Sequence, residues 1–150
     1  MNIDQVIEEY ESYHQDPTNI KYHLVCVPLI MLSVLGVLNA IPVSLGPLGL
    51  GHLVAAIFLG YYLIFARAYF VSCVVLFGLL IIVDMVLSQL PLYTYVGLNI
   101  AIFFLAWVGQ FLGHRHEGNK PAFVDNASGT IHYTFMAPIL VVRHIKKLFS

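Results

Sequence analysis

Charged residues are scarce in this sequence: aspartate, glutamate, lysine and arginine make up 10% of its 150 residues. A soluble globular domain carries about 25%, so this chain has too little charge to cover a surface that faces water. It also lacks a basic cluster of the kind that follows a phosphate backbone, so nucleic acid is not an expected partner. Hydrophobic residues account for 59% of the chain. This excess of apolar surface predicts an integral membrane protein that contacts lipid.

Cysteine pairs and targeting signals are missing too. Cys26 and Cys73 each stand alone in an apolar run, so neither a disulfide framework nor a thiolate metal site is predicted. The first thirteen residues contain four acidic residues and no lysine or arginine, the opposite of a signal or transit peptide. We therefore expect the mature chain to begin near Met1.

Four apolar runs follow one another along the chain, separated by short breaks. About 20 apolar residues are needed to cross the hydrocarbon core of a bilayer. The segment 42–51 is rich in glycine and proline, which predicts a turn before the second run and leaves the start of that run least defined. The predicted transmembrane spans are 24–41, 49–66, 68–87 and 92–112.

Two amphipathic segments flank these runs. Residues 2–13 repeat apolar positions at intervals of three and four, which predicts a helix on the membrane surface. The apolar run at 131–142 is too short to cross, so we expect an interfacial or packed helix at 131–147. The predicted fold is all-α: residues 1–150 form one membrane domain, a bundle of about four transmembrane helices with an amphipathic N-terminal helix and a short C-terminal interfacial helix.

The basic residues predict the orientation of the bundle, because cytoplasmic segments carry the excess of lysine and arginine. Four spans place all seven basic residues on the side that holds both termini, which predicts that both termini are cytoplasmic. Six of the seven histidines fall on that same side, namely His14, His23, His114, His116, His132 and His144.

Three of these histidines are expected to converge. His14 and His23 are nine residues apart and would lie on opposite faces of one helix, but the Asp16-Pro17 break lets the chain fold back between them. His114 ends the fourth apolar run, at the same membrane depth.

A helix that continues past His114 would place two further polar residues beside it. Gln110 lies four residues before His114 and Glu117 three residues after it, so all three would share one face. We predict a metal centre of His14, His23 and His114, with Glu117 as a further ligand or as an acceptor behind the ligands. Imidazole and carboxylate suit iron(II) or zinc. The alternative for each histidine is an amphipathic residue at the membrane interface with no metal.

Other polar residues have more ordinary explanations. His116 shares a polar loop with Arg115, and His144 belongs to a basic tail that is expected to meet lipid headgroups. Asp84, near the end of the third run, either marks an ion or proton path or reaches water from the end of its span.

Two sequence blocks resemble a known family. They are YHQDPTN at 13–19, followed by His23 and CVP at 26–28, and QFLGH at 110–114, preceded by Trp107 and followed by EGNKPAF at 117–123. Together they resemble the Mpo-type 2-hydroxy fatty acid dioxygenases over nearly the whole chain. Between the blocks, residues 31–95 match in hydrophobicity alone.

The resemblance implies an iron(II)-dependent enzyme of fatty acid α-oxidation. With O2 it would cleave the C1–C2 bond of a long-chain 2-hydroxy fatty acid, giving carbon dioxide and a fatty acid one carbon shorter. It implies Fe2+ as the cofactor, and the substrate, O2 and membrane lipid as the partners. His14, His23 and His114 match the family's histidines, and the motif neighbours are Asn19, Gln110, Glu117 and Pro121. His116 and His132 do not match the motif.

Two rival functions differ in the motifs they need. A di-iron lipid hydroxylase would need clusters of the HxxxH and HxxHH type, which this chain lacks. A small transporter or scaffold would use Asp84 and the glycine-rich loop, with the histidines at the interface. We expect a bacterial inner membrane because the chain is short and lacks a retention signal such as KDEL, or the endoplasmic reticulum if the protein is eukaryotic.

Overall fold

The computed structural model describes residues 3–120 and 130–148. Within them the chain is almost entirely helical, as predicted. The only strands of the described part are two strands of two residues each, which pair antiparallel. The elements are α1 (Ile3–Ser12), α2 (Pro17–Asn39), β1 (Ser44–Leu45), β2 (Leu48–Gly49), α3 (Leu50–Phe65), α4 (Arg67–Leu87), α5 (Leu92–Glu117) and α6 (Thr130–Leu148).

The start of α2 follows from local sequence. The Asp16 Oδ1 atom accepts hydrogen bonds from the backbone N–H groups of Thr18 (2.7 Å) and Asn19 (3.1 Å). Asp16 therefore caps the helix, and Pro17 is its first residue, where a proline loses no helical hydrogen bond. Helix α2 begins seven residues before the predicted span at 24–41, so His23 lies inside a helix rather than at its start.

The end of α5 is equally local. The helix continues through Gly113 to Glu117, one turn beyond the predicted span at 92–112. It stops at Gly118, which has φ +80° and donates its backbone N–H to the carbonyl of His114 (3.0 Å). A left-handed glycine is a common helix stop. As a result, the first polar residues after Gly113 are helical.

Among the described residues, three helices are long and apolar enough to cross a membrane: the mean hydropathy of an 18-residue window is 1.9 in α2, 2.8 in α4 and 1.8 in α5. Large apolar side chains are exposed along them, including Val71 (72%) and Leu105 (71%), as expected of helices that face lipid. Helix α3 is apolar but has 16 residues. Its length of about 24 Å is below the 30 Å of a typical hydrocarbon core.

The structure divides into two compact units. In the first, which holds 3–27, 107–120 and 130–148 of the described residues, α1 packs against α6. Tyr133 of α6 donates its hydroxyl to Glu9 (2.7 Å), and Arg143 pairs with Glu11 (3.2 Å). Residues 138–142 of α6 are buried, so this helix packs within its unit.

The second unit, Pro28–Ala106, contains a buried carboxylate. Asp84 of α4 is 2% exposed. Its Oδ1 atom accepts a hydrogen bond from the Tyr95 hydroxyl (2.6 Å) and its Oδ2 atom accepts one from the Asn39 side-chain amide (2.8 Å). Asp84 is therefore buried rather than in contact with water. Its two hydrogen bonds connect α4 to α2 and to α5.

Candidate metal centre

Three histidine rings meet in the first unit. His14 lies in the turn after α1, His23 in the second turn of α2 and His114 in the last turn of α5. All three are buried, with exposures of 3%, 2% and 4%. Their ring centroids are 4.2 Å apart for His14 and His23, 5.1 Å for His14 and His114, and 4.9 Å for His23 and His114. Their candidate ligand nitrogens all lie within 4.8 Å of one another.

Two of the rings have a defined tautomer. His14 Nδ1 lies 2.7 Å from the carbonyl oxygen of Tyr10, and His23 Nδ1 lies 3.0 Å from that of Asn19. A carbonyl oxygen only accepts hydrogen bonds, so each Nδ1 carries a hydrogen and each Nε2 of the neutral ring carries a lone pair. These two Nε2 atoms face each other at 3.0 Å. Two lone pairs at this distance repel each other unless a cation lies between or beside them.

A metal ion fits this arrangement. Two nitrogens bound to one ion at about 2.1 Å can be at most about 4.2 Å apart, and the pair of His14 and His23 meets that limit. Metal-binding histidines typically donate their other N–H to a carbonyl or carboxylate, as both rings do here. Burial lowers the pKa of His14 to about 4, so its ring is neutral at pH 7 and its lone pair is available. His114 Nδ1 is buried and has no hydrogen-bond partner in the described chain.

Glu117 holds the turn between His14 and His23. Its Oε1 atom accepts the backbone N–H groups of Gln15 (2.6 Å) and Asp16 (3.1 Å), and its Oε2 atom accepts the side-chain amide of Asn19. Glu117 is not part of the three-histidine cluster. It ties the end of α5 to the turn whose conformation brings the two rings together.

Asn19 connects that turn to the histidines. Its backbone carbonyl accepts from the ring of His23, while its side-chain amide donates to Glu117. One residue therefore orients an imidazole and fixes the carboxylate of Glu117. Its side chain is fully buried.

Close packing of α2 against α5 in this unit depends on two glycines. A Cβ atom at Gly113 would lie 2.5 Å from Asn19 Oδ1, and one at Gly109 would lie 2.5 Å from the sulfur of Cys26. This contact was not predicted from the sequence, although the small-xxx-small spacing of Gly109 and Gly113 is a known signal for close helix packing in membranes.

The remaining predicted site residues differ in placement. Gln110 is buried one turn before His114. His116 is exposed, 3.9 Å from the carboxylate of Asp16, and His144 is partly exposed on α6. The His132 side chain and the whole of Pro121 lie outside what the structure describes.

Taken together, the fold and the site define a helical protein with helices of membrane-spanning length and a buried group of three histidines that could hold a metal ion. A family model described as 2-hydroxy-palmitic acid dioxygenase Mpo1-like matches residues 1–146. The chain therefore belongs to the Mpo1-like family, which confirms the resemblance seen in the sequence. No curated protein and no solved structure matches it.

Proposed function

We propose that this protein is an iron(II)-dependent dioxygenase that cleaves the C1–C2 bond of long-chain 2-hydroxy fatty acids. One 2-hydroxy acid and one O2 give a fatty acid one carbon shorter, one carbon dioxide and one water, so no further reductant is needed. The observation that carries the proposal is the pair of Nε2 lone pairs of His14 and His23 facing each other at 3.0 Å, beside His114. The family membership supports the reaction class.

In this proposal His14, His23 and His114 hold the ion. Iron(II), when bound, supplies the redox chemistry that lets O2 react with an organic acid. Three protein ligands leave other coordination positions free for the substrate. The carbonyls of Tyr10 and Asn19 keep two rings in the tautomer that can bind metal.

Glu117 and Asn19 act as positioning residues. Because Glu117 accepts three N–H groups of the turn at 15–19, it keeps His14 opposite His23. The acyl chain of the substrate has apolar surface close by, since Phe111 and Leu112 of the same helix are 51% and 47% exposed. The acyl chain would lie there in contact with lipid.

The histidine cluster also supports four membrane spans. His23 lies near the start of α2 and His114 near the end of α5, yet their rings are 4.9 Å apart and so lie at one membrane depth. The number of crossings between these two residues must therefore be even. Since helices α2, α4 and α5 are long enough to cross, we propose that α3 crosses as well. A short span is accommodated by thinning of the bilayer or by flanking residues.

We place the cluster and both termini on the cytoplasmic side of a single membrane domain, a bacterial inner membrane or the endoplasmic reticulum. This orientation rests on the one-sided basic residues.

The proposal is tested on the protein purified in detergent, with bound metal measured by mass spectrometry and O2 uptake followed with 2-hydroxypalmitate. We expect about one iron per chain, uptake that depends on the 2-hydroxy group, and pentadecanoic acid as the product. Palmitate is the matched control substrate and should give no uptake. Iron-loaded protein that consumes no O2 with any 2-hydroxy fatty acid would refute the proposed function.

A further inference from the structure

We propose that the side-chain amide of Gln110 binds the carboxylate of the substrate and so makes the site specific for free 2-hydroxy acids. This inference rests on the proposed function and adds a specificity residue to it. Gln110 lies four residues before His114, so the two side chains are neighbours on one face of α5.

The main evidence is a buried hydrogen-bond donor that has no partner in the described part of the chain. Gln110 is 5% exposed, and its Nε2 atom has no hydrogen-bond partner in the described part of the chain. Buried polar groups in proteins are nearly always hydrogen-bonded, so such an atom calls for an explanation. A bound ligand that offers an oxygen acceptor would provide one.

Three other buried N–H donors near the cluster are already used. The Nδ1–H groups of His14 and His23 go to backbone carbonyls, and the amide of Asn19 goes to Glu117. Among the described residues of this unit, Gln110 is therefore the buried side-chain amide whose N–H groups are left to meet a ligand.

No buried cation of the described unit can take this role. Arg143 is partly exposed and pairs with Glu11 (3.2 Å). The other lysines and arginines described there are exposed, namely Lys21, Arg115, Lys120, Lys146 and Lys147. A carboxylate beside the histidines would thus depend on neutral donors in addition to the metal.

The chemistry of the substrate selects the carboxylate as the acceptor. An amide N–H donates to a charged oxygen more strongly than to a neutral one, and the carboxylate is the charged group of a 2-hydroxy acid. Methyl esterification removes that charge and keeps the 2-hydroxy group and the acyl chain. The ester is therefore the matched probe for this contact.

Trp107, the single tryptophan of the chain, lies three residues before Gln110 on α5 and provides a binding signal. Iron-loaded protein in detergent is titrated without O2, once with 2-hydroxypalmitate and once with its methyl ester, while tryptophan fluorescence is followed. We expect the wild-type protein to prefer the acid. Gln110→Met, which keeps the length of the side chain and removes the amide, should weaken acid binding by about 10- to 100-fold and ester binding by less than about threefold.

Gln110→Glu should weaken acid binding further than Gln110→Met, because a carboxylate would then face a carboxylate. Gln89→Met, on an exposed residue of the other unit, should leave both affinities unchanged. An acid-to-ester preference that stays the same in both Gln110 variants would overturn the inference. Iron content and circular dichroism identify a variant that fails to fold, and the decision then rests on the isosteric Gln110→Glu. Failure of the proposed function would give a different result, because the iron-loaded wild-type protein would then take up no O2.

Discussion

The Nε2 atoms of His14 and His23 face each other at 3.0 Å, and each ring is held from behind by a backbone carbonyl at Nδ1. The repulsion between two lone pairs is removed if both bind one cation. The arrangement therefore favours metal binding before any substrate is present. It also means that neither ring can change its tautomer without losing a hydrogen bond to the backbone.

Alanine substitution of each histidine in the cluster tests the ligand assignment. His14→Ala, His23→Ala and His114→Ala should each lower bound iron and abolish turnover, because a lost ligand costs far more than the 10- to 100-fold typical of an outer partner. Iron is measured by mass spectrometry and turnover by O2 uptake. His144→Ala, on a partly exposed residue of α6, should change neither. A fully loaded and active His23→Ala protein would remove that residue from the site.

Glu117→Gln separates a positioning role from a ligand role. Both oxygens of Glu117 accept N–H groups, and a glutamine would place its own N–H groups against some of these donors. We expect iron to be retained, with affinity or activity about 10- to 100-fold lower. Glu9→Gln is the matched control, since Glu9 meets Tyr133 in the contact between α1 and α6. Purification of Glu117→Gln without metal would show instead that the carboxylate is itself a ligand.

Gly113→Ala tests the close packing beside the site. Its new Cβ atom would lie 2.5 Å from the buried Oδ1 of Asn19, so that side chain or the helix must move. We expect a loss of stability of about 1–3 kcal/mol, together with weaker iron binding, because Asn19 also holds His23. Gly97→Ala, on the same helix, meets no atom within 4 Å and should be tolerated. Thermal unfolding in detergent and iron content measure both effects, and equal behaviour of the two variants would argue against the packing role.

Asp84 is predicted to stabilise the protein rather than to take part in turnover. Asp84→Leu would leave the hydroxyl of Tyr95 and the amide of Asn39 without their acceptor, which costs about 1–3 kcal/mol for each buried group. Asp84→Asn keeps one oxygen and should lose less. O2 uptake per bound iron should stay unchanged in both variants. A stable Asp84→Leu protein with no activity would point instead to a proton or ion path.

The sequence predicted features that depend on neighbouring residues, and it missed contacts between distant ones. Hydropathy located the apolar helices, and the break at Pro17 together with the position of His114 at the end of its apolar run indicated that the histidines converge. The partners of Glu117 could not be predicted, because its acceptor atoms meet N–H groups about 100 residues away along the chain. The tautomers of His14 and His23 could not be predicted from the sequence either, since they depend on the positions of particular backbone carbonyls in the folded chain.

The number of spans can be decided by labelling the two serines that flank the segment formed by α3 and α4. Ser44 precedes α3 and Ser88 follows α4, and both are exposed. If α3 crosses the membrane, two crossings separate them and both face the same side, opposite to Ser12 at the end of α1. If α3 does not cross, Ser88 lies on the side of Ser12.

The native Cys26 and Cys73 are buried, so cysteines introduced singly at these three serines should be the reactive ones. With a membrane-impermeant maleimide on right-side-out vesicles, we expect Ser44→Cys and Ser88→Cys to react and Ser12→Cys to react only after the membrane is opened. Protection of Ser88→Cys together with Ser12→Cys would contradict four spans, and it would also place His23 and His114 on opposite sides of the bilayer, against the 4.9 Å between their rings.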